Sequence, residues 1–282
     1  MLMTSRTIWS DNGVLKDLSI PLGTFSEGSQ VFDYTAGQDY LYLGSDFPFN
    51  HRYINISVAN DVATAVSIKL WDGEEWITAE DVVDQTSVAG VSLAQSGVIS
   101  WVPDDDEGWM RESTNNESET VLGLTSLKIR DLYWARLEFS VSVKVTTALD
   151  FIGHKFSNDS DLEIFYPDLI RSAVLAHFKA GKSSWLVQHM QAAQEIIKDL
   201  KKTKIIKSPN QILNWELFRD ASCHKVAEIA FNAFGKDYYE NRDAARAMYK
   251  EEMKKAFYHI DLNNDATLSV IERHVIQGKL YR

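Results

Sequence analysis

The chain has 282 residues, 45% of them hydrophobic, with 29 Lys plus Arg against 40 Asp plus Glu and a formal net charge of -11. That length suits two domains with real cores, and that charge repels a phosphate backbone, which sets non-specific nucleic-acid binding aside as the main task. The single cysteine, Cys223, excludes an internal disulfide and a cysteine-built zinc site.

Residues 1–6 carry no apolar stretch of signal-peptide length, and no run of about 18 apolar residues occurs that would suggest a membrane span. The expectation is a protein made in the cytoplasm, with no membrane partner, and then built into an assembly. Charge divides the chain. Residues 1–150 hold 9 Lys plus Arg and 23 Asp plus Glu, whereas residues 151–282 hold 20 and 17. Six of the seven histidines also fall in the second part. Two domains are expected, 1–150 acidic and 151–282 nearly neutral, joined near 150–161, where Gly153 and Ser157-Asn158-Asp159-Ser160 break the pattern.

The first part reads as β. Apolar and polar residues alternate over 53–58 and 65–71. Asp72-Gly73 follows, then a second run over 74–78, which predicts a hairpin with a type I′ turn. Further strands are predicted over 97–102 and 133–143. The acidic run 104–107 and the polar stretch 112–120 read as one exposed, mobile loop. Short strands separated by turn signals predict an antiparallel sandwich or jelly roll.

The second part reads as helical. Leu162, Phe165, Leu169, Ala173 and Ala176 recur at helical spacing, as do Leu186, Met190, Ala193, Ile197 and Leu200. Gly181 and the serines at 183 and 184 separate these two helices, with serine as N-cap. A third helix is predicted from Ser208-Pro209, through Ile212, Trp215, Phe218, Ala221, Ile229 and Ala233, to Gly235. A fourth covers 237–260, with Ala245, Tyr249, Met253, Ala256 and Ile260 on one face. Four amphipathic helices with short loops predict a bundle, so the fold class is α+β: an antiparallel β-sandwich followed by a helical bundle.

The sharpest motif spans 261–272. Asp261, Asn263 and Asp265 stand at positions 1, 3 and 5 of an EF-hand loop, Thr267 at 7, Ser269 at 9 and Glu272 at 12. An all-oxygen set at this spacing suits Ca²⁺, here as a structural staple, with Leu268 packing the loop. Ala266 replaces the usual glycine at position 6, at a cost of about 1 kcal/mol. The plainer reading is a polar helix–helix turn in which Asp261 and Ser269 only cap.

Other constellations favour plain readings. Cys223 and His224 are helix neighbours about 100° apart and cannot form a thiol–imidazole dyad. No serine-nucleophile elbow, phosphate loop or HExxH occurs, and nothing singles out a carboxylate pair. Trp71, Trp101 and Trp134 read as core. Trp76 and Trp109, nearer turns, are candidates for a partner surface or a sugar site. Lys198, Lys201, Lys202, Lys204 and Lys207 read as a solvated helix end, or else as a contact for an acidic partner or DNA.

The segment 165–282 resembles the head–tail adaptor (connector) proteins of tailed bacteriophages. The resemblance rests on Tyr166-Pro167-Asp168-Leu169-Ile170, on Asn214-Trp215-Glu216-Leu217-Phe218-Arg219-Asp220-Ala221 and on Lys225-Val226-Ala227-Glu228-Ile229-Ala230. It continues through Asp243-Ala244-Ala245-Arg246-Ala247-Met248-Tyr249 and the acidic loop at 261–265. The 1–150 domain is an addition to the minimal family. The resemblance implies a non-enzymatic virion protein of the neck: a dodecameric ring under the portal protein, extending the DNA channel and presenting a surface to a tail or neck protein. DNA would pass without specific binding, and the basic tail 277–282 would insert into the portal. Competing expectations are a tail, baseplate or collar protein, a carbohydrate-binding module or glycan-active enzyme, and a calcium-regulated cellular protein.

Overall fold

The computed structural model describes residues 5–25, 28–102, 109–111, 123–124 and 132–256. The chain forms two compact units that divide between Gly153 and His154. The architecture is α+β, with antiparallel sheets in the first unit and helices in the second.

The first unit holds two sheets. One has the order β2 (Val14–Asp17), β1 (Ser5–Asp11), β4 (Tyr40–Ser45), β10 (Tyr133–Phe139), β6 (Val66–Trp71), β7 (Trp76–Thr78). The other runs β3 (Gln30–Val31), β11 (Ala148–Gly153), β5 (His51–Val58), β9 (Gly97–Val102), β8 (Glu80–Asp84). A short helix, α1 (Ser19–Gly23), follows β2. Alternate residues of each strand share a face. Leu41, Leu43, Ile68, Leu70, Ala135 and Leu137 of the first sheet therefore meet Ile54, Ile99, Trp101, Leu149 and Ile152 of the second in one buried cluster. That shared core makes the unit a sandwich. Trp71 and Trp134 point the other way and pack with Ile8, Tyr42, Leu124 and Leu132 on the outer face of the first sheet.

Two hairpins differ in their turns. Asp11 pairs with Val14, and Asn12 and Gly13 both have positive φ, 47° and 81°, so β1 and β2 are joined by the two-residue turn that Asn-Gly favours. The Asp72-Gly73 hairpin forms, but not through a type I′ turn. Trp71 pairs with Trp76, leaving four loop residues, and only Gly73 has positive φ, 109°. The Asp72 carboxylate instead accepts hydrogen bonds from the amides of Glu74 (2.7 Å) and Glu75 (2.6 Å), so the side chain holds the turn. Strand β10 ends at Phe139, short of the predicted 143. The Ser140 amide still donates to Ala65 (2.9 Å), and Val143 has already turned to Tyr34 (3.1 Å).

The second unit begins with α2 (Asp159–Phe165), capped reciprocally by Asn158 and Asp161. The helix predicted through Ala176 breaks at Pro167. Proline disfavours the helical conformation at the residue before it, and Tyr166 sits at φ -137°, ψ 63°. A 3₁₀ turn follows (Pro167–Ile170), then α3 (Ser172–Phe178). Leu175 is buried on α3, whereas Ala173 and Ala176 are exposed. Helix α4 (Leu186–Lys202) buries Met190, Ala193 and Leu200, and the Ser184 hydroxyl accepts from the Leu186 amide (3.0 Å) at its start. Ser208 and Gln211 cap a separate 3₁₀ turn (Pro209–Gln211), so α5 begins only at Arg219 and runs to Phe234, stopped by Gly235 at φ 93°. Helix α6 spans Tyr239–Ala256. Helix α5 packs on α2, α4 and α6 and is the spine of the unit.

Candidate functional site

Two features of the helical unit carry the chemistry of the described residues. The first is a polar cluster inside the unit. The Ser157 hydroxyl lies 2.7 Å from His189 Nδ1 and 2.7 Å from the Ser222 hydroxyl, and His189 Nε2 lies 3.2 Å from an Asp159 carboxylate oxygen. With the Nε2 proton given to Asp159, Nδ1 accepts from Ser157, which accepts from Ser222 in turn. Asp159 also accepts from the Trp185 amide (3.0 Å), which ties the start of α2 to the start of α4.

Serine, histidine and aspartate in hydrogen-bonding sequence form the arrangement of a hydrolase triad, yet the geometry differs. In hydrolases Nε2 faces the serine and Nδ1 the aspartate; here the nitrogens are exchanged. Ser157 is 3% exposed and His189 1%, so an acyl carbon has no approach to the hydroxyl. Both pKa shifts agree with an interior clasp. Burial lowers that of His189 against the pull of Asp159. Burial alone would raise Asp159, but hydrogen bonds from His189, Ser184 and the Trp185 amide hold its carboxyl below the usual range. Sequence reasoning missed this cluster because His189 stands 30 residues from Asp159 and Ser222 stands 65 from Ser157, on different elements.

The second feature is an open apolar groove of about 790 Å³ between the α2–α3 segment on one side and α5 with the first half of α6 on the other. Phe165, Tyr166, Val174, Phe231, Phe234 and Met248 line it. Its walls are held from behind. The Tyr166 hydroxyl lies 2.8 Å from His224 Nδ1, Phe231 stacks on Tyr238 with centroids 6.2 Å apart, and Tyr238 meets Phe234 at 5.3 Å. Met248 is 47% exposed, Tyr238 41% and Phe165 37%. The volume falls in the range of ligand and peptide clefts, about 300–1,000 Å³, and the lining suits an apolar helix or loop. A smaller cleft nearby is filled by charge: Glu228 accepts from Lys225 (3.1 Å) and Arg246 (2.8 Å).

The residues singled out from sequence divide as follows. Asp261, Asn263, Asp265, Thr267, Ser269 and Glu272, the acidic run 104–107 and the tail 277–282 lie outside the described residues. Among the described residues no group of three or more His, Cys, Asp or Glu is placed to hold a metal ion, and no helix is long and apolar enough to cross a membrane. Trp71, Trp101 and Trp134 are core. Trp109 is not a surface residue. It is 9% exposed, packed between Phe49 and Tyr133, and its indole N–H donates to the Trp134 carbonyl (3.0 Å). Trp76 is half-buried, with Trp71 at 5.3 Å, Tyr42 at 5.6 Å and the Arg136 guanidinium at 4.7 Å. The Arg136 guanidinium covers one ring face that a sugar would need. Cys223 and His224 are both buried, and burial pushes the thiol up to about 12, far from a reactive thiolate. Lys198, Lys201, Lys202, Lys204 and Lys207 are all exposed around the end of α4.

No family model, no curated protein and no solved structure matches this chain.

Proposed function

We propose that the chain is a structural subunit that assembles with copies of itself through its helical unit. Following the resemblance of 165–282 to head–tail adaptors, we propose that the assembly is the dodecameric ring between portal and tail of a phage virion. In this reading DNA passes through the ring, the portal protein and a tail or neck protein are the partners, and Ca²⁺ staples the loop at 261–272. The work is mechanical, not catalytic.

The observation that carries the reading is the groove. A contiguous apolar surface with Phe165, Tyr238 and Met248 exposed in it is the kind of patch that marks an interaction site. Ring closure needs a heterologous contact in which such a recess takes a different surface of the next copy. The same groove would serve a tail, baseplate or collar protein, and the place of the polypeptide in the virion separates these readings.

Sedimentation of the wild-type chain, alone and with portal protein, tests the assembly. Wild type is expected to form a discrete ring, alone or on the portal, and Met248→Asp to abolish it while keeping its melting behaviour. A wild-type chain that stays monomeric in both settings, or a Met248→Asp variant that assembles equally well, overturns the proposal. Antibody labelling that places the chain away from the virion neck overturns its connector form.

A further inference from the structure

We propose that the β-unit carries a docking surface of its own, at the end of the sandwich built by the loops 58–65, 85–96 and 140–147, and that its partner is the same surface of a second copy. The inference goes beyond the helical groove and does not depend on it.

Strands β5, β8 and β10 end here, and β6, β9 and β11 begin here. Two buried side chains lock the loops to one another. The Asn60 side-chain nitrogen donates to the carbonyls of Val62 (2.9 Å) and Ser92 (2.9 Å), and its side-chain oxygen accepts from the Lys144 amide (3.0 Å). The Thr64 hydroxyl donates to the Val141 carbonyl (2.9 Å) and accepts from the Val141 amide (3.0 Å). A surface fixed in this way loses little freedom when it binds.

What the locked loops present is apolar. Val145 is 63% exposed, and Val58, Val88 and Val141 are exposed on the same three loops. Val88 pairs with Val91 around Ala89 and Gly90, both at positive φ, 50° and 83°. Asparagine or aspartate fits the first of those left-handed positions better than alanine does. Alanine keeps the tip apolar against the preference of the backbone.

The chemistry of the loops selects the partner. They hold no aromatic residue for a sugar to stack on, and a single cation is too few for an anionic lipid surface. Their only charged residues are Asp61 and Lys144, which form an ion pair at the surface. Elsewhere the unit is strongly acidic. Residues 1–150 hold 23 Asp plus Glu against 9 Lys plus Arg, so two copies repel across most of their surfaces. At this end they do not. A face with one charge of each sign is complementary to itself about a two-fold axis, because Lys144 of each copy meets Asp61 of the other while the valines close together. A contact made by three loops is small, so pairing is expected only at high concentration.

Sedimentation equilibrium of the full chain tests this, with Met248→Asp present throughout so that association through the groove is not counted. That parent is expected to dimerise at concentrations up to about 1 mM. Val145→Asp should weaken the dimer by about tenfold. Asp61→Lys and Lys144→Asp should each weaken it too, since two copies then face each other with like charges. An equal mixture of these two variants should recover pairing. All three side chains stand at the surface, and unchanged melting checks that the fold is kept. A parent that stays monomeric overturns the proposal, as does a Val145→Asp variant that pairs as tightly. A mixture that pairs no better than its separate components overturns it as well, since the two-fold exchange of charge is then absent.

Discussion

The Tyr249 hydroxyl donates to a carboxylate oxygen of Asp199 across 2.6 Å, joining α6 to α4 around the central α5. Burial, and then the Asp199 carboxylate, push the phenol well above its ordinary value. The Lys225 ammonium lies 4.6 Å from the centre of the same ring. Tyr249→Phe keeps the ring, its packing and the cation contact, and removes only the hydroxyl. A hydrogen bond to a half-buried carboxylate contributes on the order of 1–2 kcal/mol. Urea denaturation should show a loss of that size with an unchanged m-value. A neutral result would mean that α6 is held by apolar contacts alone.

The Ser157–His189–Asp159 clasp predicts acid lability. His189 is held neutral by burial, so its folded pKa lies below its ordinary 6.5, and Asp159 lies below its ordinary 3.8. In both cases the unfolded chain takes up a proton at a pH where the folded chain does not. Stability is therefore full above about pH 6.5 and falls as pH drops, first through His189 and then through Asp159. His224, also lowered by burial, acts in the same direction. The share of His189 is read as the difference between wild type and His189→Gln. Between pH 7.5 and pH 5.5 the wild type should lose about 1 kcal/mol more than the variant. Equal losses would place the histidine outside the pH response.

The loop at 261–272 makes a separate prediction. In the proposed Ca²⁺ loop Asp261, Asp265 and Glu272 would supply hard carboxylate oxygens, so Ca²⁺ should raise the melting temperature and a chelator should lower it. Alanine at the sixth position should weaken such a site relative to a glycine loop by about 1 kcal/mol, or roughly fivefold in affinity. Glu272→Gln should remove most of the calorimetric heat of Ca²⁺ binding, and Ala266→Gly should tighten it. A flat titration at millimolar Ca²⁺ would reduce the segment to a capped turn.

How far the fold was legible depends on the range of the interactions. Strands β5, β6 and β9 follow from local alternation, and β9 occupies the predicted 97–102. Asn12-Gly13 is the stronger turn signal, but the strands beside it, β1 and the four-residue β2, alternate poorly and hide the hairpin. Asp72-Gly73 marked a hairpin, but the dipeptide alone does not count loop residues, and the Asp72 carboxylate set the geometry. Apolar spacing across 162–176 suggested one helix, whereas Pro167 decided for two short ones, and their angle shapes a wall of the groove. Trp109 looked exposed because it lies near a turn; its partners Phe49, Tyr133 and Trp134 are distant in sequence. The groove and the polar clasp were illegible for the same reason, since each exists only after three or more segments have packed.

Gly44 and Trp134 give the most local prediction. They face each other across β4 and β10, and a Cβ on Gly44 would stand 2.7 Å from the indole ring. Trp134 is 0% exposed and lies in the packed layer with Tyr42, Trp71 and Leu132, so its ring has no room to retreat. Glycine at this strand position is required by the close approach of the ring. Gly44→Ala should cost about 1–3 kcal/mol through overpacking, read by denaturation and by a shift in tryptophan fluorescence. Trp134→Phe opens a gap and is itself destabilising, but it removes the benzo edge that the new methyl group would strike. Gly44→Ala should therefore cost markedly less in the Trp134→Phe background than in wild type. Additive losses in the double variant would show that the methyl group meets backbone rather than the indole.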